Sequence, residues 1–244
     1  MKNVMTAIAG LGLAVCLSGS AHAAGPNLVT NGDFESLTNG IGQIGYNTDA
    51  TGWYTNGYNF AFSGNTADST GSSGSYGHLE LWGPSNGSAN GLGASPTGGN
   101  YIGADGAFEV GAITQTISGL QVGKTYNVDF SWAAAQQKGY DGDTTDKWTV
   151  GLGDEKYDTA VVSLPSHSFS GWMHQTFTYT ATSTSETLSF LATGTPAGVP
   201  PFALLDGVSV TATPEASSVI SVFAGMMFLG VIMLRGARAK KSIS

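Results

Sequence analysis

Residues 125–132 read TYNVDFSW, and polar and apolar side chains alternate strictly along them. Successive side chains of an extended chain point to opposite sides, so every second residue shares a face. One face carries the apolar set Tyr126, Val128, Phe130 and Trp132. This stretch therefore predicts a β-strand with one buried and one solvated face.

Similar strand patterns recur downstream at 147–152, 157–163, 172–181, 187–193 and 202–212. Turns rich in Gly, Ser and Thr separate them, and no long stretch before the C-terminal tail has helical periodicity. Residues 64–99 are rich in Gly, Ser, Asn and Pro, which predicts loops around one short strand at 78–82. Many short strands of this kind predict an all-β protein folded as an antiparallel sandwich.

Composition favours an exported protein over one that binds nucleic acid. The chain has 36 glycines among 244 residues, and only 11% of its residues are charged. Residues 24–213 contain sixteen acidic side chains and only four lysines. Binding of phosphates requires clustered Lys and Arg, so we expect no nucleic-acid partner. An acidic surface suits solubility and divalent cations.

The first 23 residues have the three parts of a secretory signal peptide. Lys2 is followed by an apolar run over 7–17, and Ala21-His22-Ala23 ends in a small-residue cleavage pattern. We expect export by the Sec machinery and a mature chain from Ala24. The alternatives are an uncleaved anchor and a lipoprotein acylated on Cys16. Cys16 is the only cysteine, so cleavage would leave no disulfide and no thiolate metal ligand.

The C-terminal tail reads TPEASSVISVFAGMMFLGVIMLRGARAKK from residue 213. Residues 216–234 carry no charge and are long enough to cross a bilayer core of roughly 30 Å. The basic tail that follows, Arg235, Arg238, Lys240 and Lys241, predicts a cytoplasmic end with the domain outside. A buried core helix is the alternative interpretation of this apolar run.

Four segments of the exported region resemble galactose-binding-like jelly rolls, including several carbohydrate-binding modules. They are 27–35 (NLVTNGDFE), Gly52-Trp53, 113–126 (ITQTISGLQVGKTY) and 204–210 (LLDGVSV). The resemblance covers most of residues 26–212 and implies a jelly-roll domain over 24–212. It does not specify a ligand.

The tail resembles the PEP-CTERM sorting signal of Gram-negative bacteria, with a short motif, an apolar span and a basic end at 213–241. The motif here is Pro214-Glu215-Ala216, so its third position departs from Pro-Glu-Pro. The resemblance implies an exosortase-type processing enzyme as partner, in bacteria that make exopolysaccharide. It also implies transient retention at the inner membrane before release to the cell surface or medium.

A structural calcium ion is the first candidate site. Asp206 shares strand parity with Val208 and Val210, so its carboxylate is expected to turn inward, where it needs a partner. In similar jelly rolls, acids of the first and last strands bind calcium. That resemblance implies Glu35 and Asp206 as ligands, together with Asp33 or the carbonyl of Gly32. Alternatively, Asp206 caps a turn and accepts backbone N–H bonds.

A second acidic stretch, Asp141-Gly-Asp-Thr-Thr-Asp146, has some features of a calcium loop. It lacks the later ligands and the final Glu of an EF-hand, so it predicts a solvated loop.

Sugar binding would require exposed aromatic faces beside amides and carboxylates. The sequence offers two sets of candidates for such a site. The aromatic set is Tyr54, Tyr58, Trp82, Tyr140 and Trp148, and the polar set is Asp105, Gln136 and Gln137. Core packing is the competing role for each tryptophan, and Trp53, Trp132 and Trp172 are expected in the core.

We therefore expect a non-catalytic, structural or adhesive protein of the cell surface or extracellular matrix, with exopolysaccharide as a candidate partner. The second hypothesis is a specific carbohydrate-binding module, and the third is a polysaccharide-active enzyme. Gly83-Pro-Ser-Asn-Gly87 matches a nucleophile-elbow pattern, but the residues after it do not favour the helix that such an elbow requires. No cofactor other than calcium is expected.

Overall fold

The computed structural model describes residues 25–214, where thirteen β-strands and one 3₁₀ turn form the fold. The first strands are β1 Gly42–Gln43, β2 Asn59–Ser63, β3 Ser72–Gly74, β4 Gly77–Leu79, β5 Asn100–Asp105 and β6 Ile113–Ser118. The next are β7 Thr125–Gln136, β8 Thr144–Leu152, β9 Glu155–Asp158 and β10 Val162–Leu164. The last are β11 Met173–Thr180, β12 Ser185–Thr195 and β13 Pro201–Ala212, and the 3₁₀ turn is Gly64–Thr66.

Two antiparallel sheets form a sandwich, which confirms the predicted all-β class. The six-stranded sheet has the order β1-β2-β5-β13-β7-β11. The five-stranded sheet has the order β10-β8-β12-β6, with β9 also paired to β8. Strands β3 and β4 form a separate hairpin. The residues Ala24–Thr213 form one compact unit, and the chain's other unit lies almost wholly outside the described residues.

The main core lies between the two sheets, and strand β7 supplies its central stripe. Tyr126, Val128, Phe130 and Trp132 are each at most 3% exposed, as their alternation predicts. Trp148 and Phe190 face them from the other sheet, and Phe190 meets both Phe130 and Trp148 edge to face. Burial of each such side chain contributes roughly 1.5–3 kcal/mol to stability.

A second core covers part of the outer face of the six-stranded sheet. Phe60, Phe62, Tyr101, Phe202 and Leu204 project from strands β2, β5 and β13 into it. Three leucines from the long connection between β2 and β5 pack over them, namely Leu79, Leu81 and Leu92. Strands β2 and β5 are consequently buried on both faces, show no polar–apolar alternation, and were not predicted as strands.

The structure corrects three local predictions. The strand expected at 78–82 is β4, which ends at Leu79. The strand expected at 157–163 is two strands, β9 and β10, both paired to β8. Asp146 does not lie in a solvated loop, because it belongs to β8 and is fully buried.

The predictions for both chain ends fall outside the described residues. These are the signal peptide at 1–23 with Cys16, the residues Glu215 and Ala216 of the sorting motif, the span at 216–234, and the basic tail at 235–241. Pro214 is the last described residue and is exposed. Among residues 25–214, no helix has the length and apolar character needed to cross a membrane.

Candidate functional site

A cleft of about 350 Å³ opens at one end of the six-stranded sheet. Loops after β5, β7 and β12 line it together with the β3–β4 hairpin. Its lining combines four aromatic rings with an acid, an imidazole and an amide. The residues are Tyr58, Tyr76, His78, Asp105, Phe108, Gln137, Tyr140, Gly198 and Pro200.

Three of the rings form an edge-to-face triangle on one wall. Centroid distances are 5.7 Å from Tyr58 to Tyr76, 5.4 Å from Tyr58 to Phe108, and 5.5 Å from Tyr76 to Phe108. Tyr58 is buried behind the other two, whereas Tyr76 is 64% and Phe108 is 45% exposed. Such packing holds the exposed rings in defined orientations before any ligand arrives.

The hairpin turn Ser75-Tyr76 carries Tyr76 into the cleft. Gly74 pairs with Gly77, so the loop has two residues, and Gly77 has φ +100°, which favours glycine. Gln43 Oε1 accepts hydrogen bonds from Ser75 N at 2.8 Å and Ser75 Oγ at 2.9 Å. These bonds fix the hairpin to β1, and Tyr76 Oη donates to Glu109 Oε1 at 2.7 Å.

The opposite wall is held by the turn that follows β7. Trp82 Nε1 donates to the carbonyl of Tyr140 at 3.0 Å, and the ring of Trp82 stacks on His167 at 3.9 Å. Gln137 N donates to the carbonyl of Pro200 at 3.2 Å, which joins this turn to the β12–β13 loop. Tyr140, 40% exposed, is left with its ring at the cleft.

Asp105 is the acid of the cleft and is only 2% exposed. Its Oδ1 accepts the N–H groups of Ala107 at 2.8 Å and Phe108 at 3.0 Å, while its Oδ2 has no partner. Burial raises the pKa of Asp105 to about 6. Burial and then the Asp105 charge raise the pKa of Tyr58 to about 12, so the phenol stays protonated.

The rim of the cleft is ionic. Glu80 accepts a hydrogen bond from Lys138 Nζ at 2.8 Å and lies 3.5 Å from His78 Nε2. The hydrogen bond from Lys138 is the main reason that the pKa of Glu80 lies below its ordinary value. Two further carboxylates lie beside the cleft. Glu109 accepts a hydrogen bond from Tyr76, and Asp141 is hydrogen-bonded to His167.

The structure brings together only part of the predicted sugar-binding set. Asp105 and Tyr140 line the cleft, as do the further candidates Tyr58 and Gln137. Gln136 is 1% exposed because its side chain links the carbonyl of Gly142 to the N–H of His167.

The remaining aromatic candidates lie elsewhere. Trp148 is fully buried in the main core, where its Nε1 donates to the carbonyl of Leu204, so it cannot contact a ligand. Trp82 braces the wall without lining the cleft, and Tyr54 is exposed outside it.

Sequence reasoning missed Tyr76, His78, Phe108 and Pro200. Tyr76 and Phe108 are single aromatics within glycine-rich loops, and only the chain path around the sheet brings them together. The one available signal was an exposed aromatic at a hairpin tip, since Tyr76 stands directly before Gly77.

Asp206 is fully buried, but it faces the outer side of the sheet rather than the main core. The register of β13 shifts between Asp206 and Ser209, and Gly207 has φ +61°. This bulge inserts one residue, so Asp206 does not share the face of Val208 and Val210. Its parity is that of Leu204, which belongs to the second core.

The carboxylate of Asp206 is satisfied by protein groups. The hydroxyls of Ser95 and Thr97 donate to its Oδ2, and Gly207 N donates to Oδ1 at 2.7 Å. Only the bond from Gly207 N is of the backbone kind that the alternative predicts, since both hydroxyl donors come from a distant part of the chain. Burial is the main reason that the pKa of Asp206 is raised to about 6, and the hydrogen bonds from Ser95 and Thr97 oppose this rise.

Glu35 lies against the same connection, because its Oε1 accepts the N–H of Asn100. Within residues 25–214, however, no three His, Cys, Asp or Glu side chains gather as a metal-binding group. The resemblance also allows Glu35 and Asp206 with the carbonyl of Gly32, a ligand set that has only two carboxylates. Calcium at these residues stays a prediction.

No protein-family model matches the chain. Among curated proteins, it is similar to halomucin of Haloquadratum walsbyi, with 30% identity over 208 residues. The aligned part is 82% of this chain but 2% of halomucin, so the chain spans about one fiftieth of that relative's length.

Solved structures that resemble the chain include several carbohydrate-binding modules. One is a family 4 module (20% identity, TM-score 0.36), with 75% of this chain and 99% of the module covered. Another is a xylan-binding domain from Paenibacillus barcinonensis (14% identity, TM-score 0.41), with 80% and 100% covered. A third is the cellulose-binding domain of a Cellulomonas fimi β-1,4-glucanase (16% identity, TM-score 0.32), with 67% and 90% covered. Structural likeness at these TM-scores shows nothing about the function of this chain.

Proposed function

We propose that residues 25–214 form a non-catalytic polysaccharide-binding domain whose binding site is the aromatic cleft. One observation carries this proposal: Tyr76, Phe108 and Tyr140 expose their rings around a polar floor formed by Asp105 and Gln137. The protein then acts as an adhesive or structural component at the cell surface or in the extracellular matrix.

The chemistry of the lining fits a sugar chain. A pyranose ring has apolar C–H faces that pack on aromatic rings and a rim of hydroxyls that need hydrogen-bond partners. The exposed rings supply the first contact. Gln137 and His78 supply acceptors and donors within the same cleft.

The test is retention of the protein on a panel of insoluble and capsular polysaccharides. Tyr76→Ala is compared with Tyr46→Ala, because both tyrosines are 64% exposed and only Tyr76 lines the cleft. Loss of one exposed aromatic contact is expected to weaken binding about tenfold, which is about 1.4 kcal/mol. The Tyr46 variant should bind as the wild type does. Equal losses in both variants, or no retention on any polymer, would contradict the proposal.

A polysaccharide-active enzyme is the second candidate, and one observation favours it. Asp105 is a cleft carboxyl whose pKa is raised to about 6, as general acids of glycoside hydrolases require. Release of reducing sugar by the purified protein, abolished by Asp105→Asn, would establish this alternative. We expect no release.

Export and sorting belong to the same proposal. They rest on the terminal sequences: the Sec machinery exports the chain with cleavage of 1–23, and an exosortase-type enzyme of the inner membrane cuts near Pro214-Glu215-Ala216. Mass spectrometry of the mature protein from its own host should give Ala24 as the first residue and a C-terminus close to this motif. An intact basic tail in the mature protein would contradict the sorting step.

A further inference from the structure

Four buried side-chain oxygens near one end of the sandwich have no hydrogen-bond partner among the described residues. They are Oδ2 of Asp105, Oγ1 of Thr144, and both carboxylate oxygens of Asp146. Asp146 is fully buried, while Asp105 and Thr144 are 2% and 3% exposed. Burial of polar groups without partners strongly destabilises a fold, so these oxygens require a compensating group.

Strand geometry places the three residues near one another. Thr144 and Asp146 are two positions apart on β8 and so point to the same side, the interior face that also carries Trp148. Gly194 is the β12 partner of Asp146, and its N–H donates to the carbonyl of Gly106 at 2.9 Å. Because Gly106 directly follows Asp105, the two acids lie on either side of this contact.

Two glycines make this close approach feasible. A Cβ on Gly106 would lie 2.4 Å from Gly194 N, and a Cβ on Gly194 would lie 2.3 Å from the ring of Pro201. Larger residues at either position would separate β5 from β12 and move Asp105 away from Asp146.

No basic side chain within residues 25–214 neutralises the pair. Among the described residues, no ion pair involves Asp105 or Asp146, and the adjacent Lys147 pairs with Asp158 on the other side of the strand. Burial, and next the charge of Asp105, raise the pKa of Asp146 well above its ordinary value. Two negative groups in one buried region favour either a proton or a cation.

We propose that Asp146, Thr144 and Asp105 bind a divalent calcium ion beneath the cleft. All four unpartnered atoms are oxygens, which suit a hard cation, and two carboxylates match its charge. Calcium takes six to eight oxygen ligands. Main-chain carbonyls or water would have to supply the remaining ones. This site is separate from the predicted one at Glu35, Asp33 and Asp206.

The ion and the proton make different demands on the same residue. If Asp146 is protonated and binds no ion, Asn should replace it with little loss of stability, because Asn has a similar shape and no charge. If Asp146 binds calcium, Asn should weaken that binding, because an amide supplies one neutral oxygen where the carboxylate supplies two that share a negative charge.

The experiment uses the full chain, freed of metal with a chelator and titrated with terbium, a luminescent calcium substitute. Trp148 lies two residues from Asp146 on the same strand face, so it should sensitise terbium emission. We expect Asp146→Asn to lower this emission at least tenfold and Thr144→Val to weaken terbium binding about tenfold. Asp206→Asn, a matched control at a buried acid outside the proposed site, should leave the emission unchanged.

Two controls keep the result interpretable. Trp148→Phe should lower the emission without changing the affinity for terbium, and Thr144→Val retains both carboxylates if Asp146→Asn fails to fold. The proposal is overturned if the wild type shows no tryptophan-sensitised emission, or if Asp146→Asn binds terbium as the wild type does. It is also overturned if only Asp206→Asn abolishes the signal.

Discussion

Strands β2 and β5 of the six-stranded sheet are buried on both faces, and the two faces of the sheet are covered by different structures. The inner face packs on the five-stranded sheet through side chains that alternate regularly along β7, and along β13 on either side of its bulge. The outer face packs under the β2–β5 connection, with partly buried Phe169 and Trp172 beside it. The inner contact joins two regular sheets, whereas the outer one depends on loops held by individual hydrogen bonds.

This difference separates stability from recognition. Inner-face residues are apolar and contribute mainly by burial. The outer layer positions the hairpin carrying Tyr76, holds the wall carrying Tyr140, and places Ser95 and Thr97 on Asp206. We therefore expect substitutions on the inner face to have the larger effect on global stability, and those in the outer layer to cost less stability and, at the hairpin and the wall, to act on the cleft.

The largest expected effect is that of Trp148→Ala. Removal of this fully buried indole from the main core should lower the free energy of unfolding by about 3–5 kcal/mol. Trp82→Ala, its counterpart in the outer layer, should cost about 1–2 kcal/mol, because that ring is half-buried and makes one stack and one hydrogen bond. Urea unfolding measures both, and equal losses would break the comparison.

Asp206→Ala should have the next largest effect. It leaves the hydroxyls of Ser95 and Thr97 and the N–H of Gly207 without their acceptor, which should cost about 3 kcal/mol. Asp206→Asn keeps an acceptor oxygen and should cost less. If the alanine variant unfolds at the wild-type urea concentration, the loop over Asp206 contributes no stability.

Calcium at Glu35, Asp33 and Asp206 can be tested at the same place. If it binds there, a chelator should lower the melting temperature of the wild type, and Asp206→Asn should reduce that response. A calcium concentration of about one hundred times the Kd would add about 2.7 kcal/mol to the free energy of unfolding. An unchanged melting curve, with no metal in the purified protein, would leave the hydrogen bonds of Asp206 as its whole environment.

The smallest expected effect concerns the rim pair. Lys138→Met should cost about 0.5 kcal/mol near neutral pH, since exposed ion pairs contribute little. The pKa of Glu80 is lowered by Lys138, so the pair stabilises the fold above the unfolded-state pKa, and this contribution is lost as pH falls through the lowered value. Urea unfolding at several pH values measures it, with Lys156→Met on the exposed strand β9 as the control. A loss that persists at low pH would point to packing by the lysine stem.

Strands with one solvated face could be predicted from the sequence. Strand β7 is the clearest case, since its first eight residues alternate without exception, and β11 was also placed within one residue at each end. Strand β13 was placed equally well, although its first half is buried on both faces. Strands β2 and β5 could not, because the second core covers their outer face and removes the polar positions that mark alternation.

The site was less predictable than the fold for a related reason. Asp105 and Tyr140 were named from residue type alone, but their neighbours Tyr76 and Phe108 come from loops whose meeting depends on the path around the sheet. The face of Asp206 was predicted wrongly because a one-residue bulge leaves no pattern in the sequence apart from a single glycine. The burial of Asp146 was missed because its segment has the composition of a loop.

The two-residue turn of the β3–β4 hairpin bears on how the cleft could diversify. Its anchors to Gln43 involve the backbone and hydroxyl of Ser75, whereas the side chain of Tyr76 takes no part in them. A different residue at position 76 would keep the strand register, since loop length and turn type set it. The residue at the hairpin tip can therefore vary independently of the fold, and related chains could acquire new ligand preferences there without repacking either core.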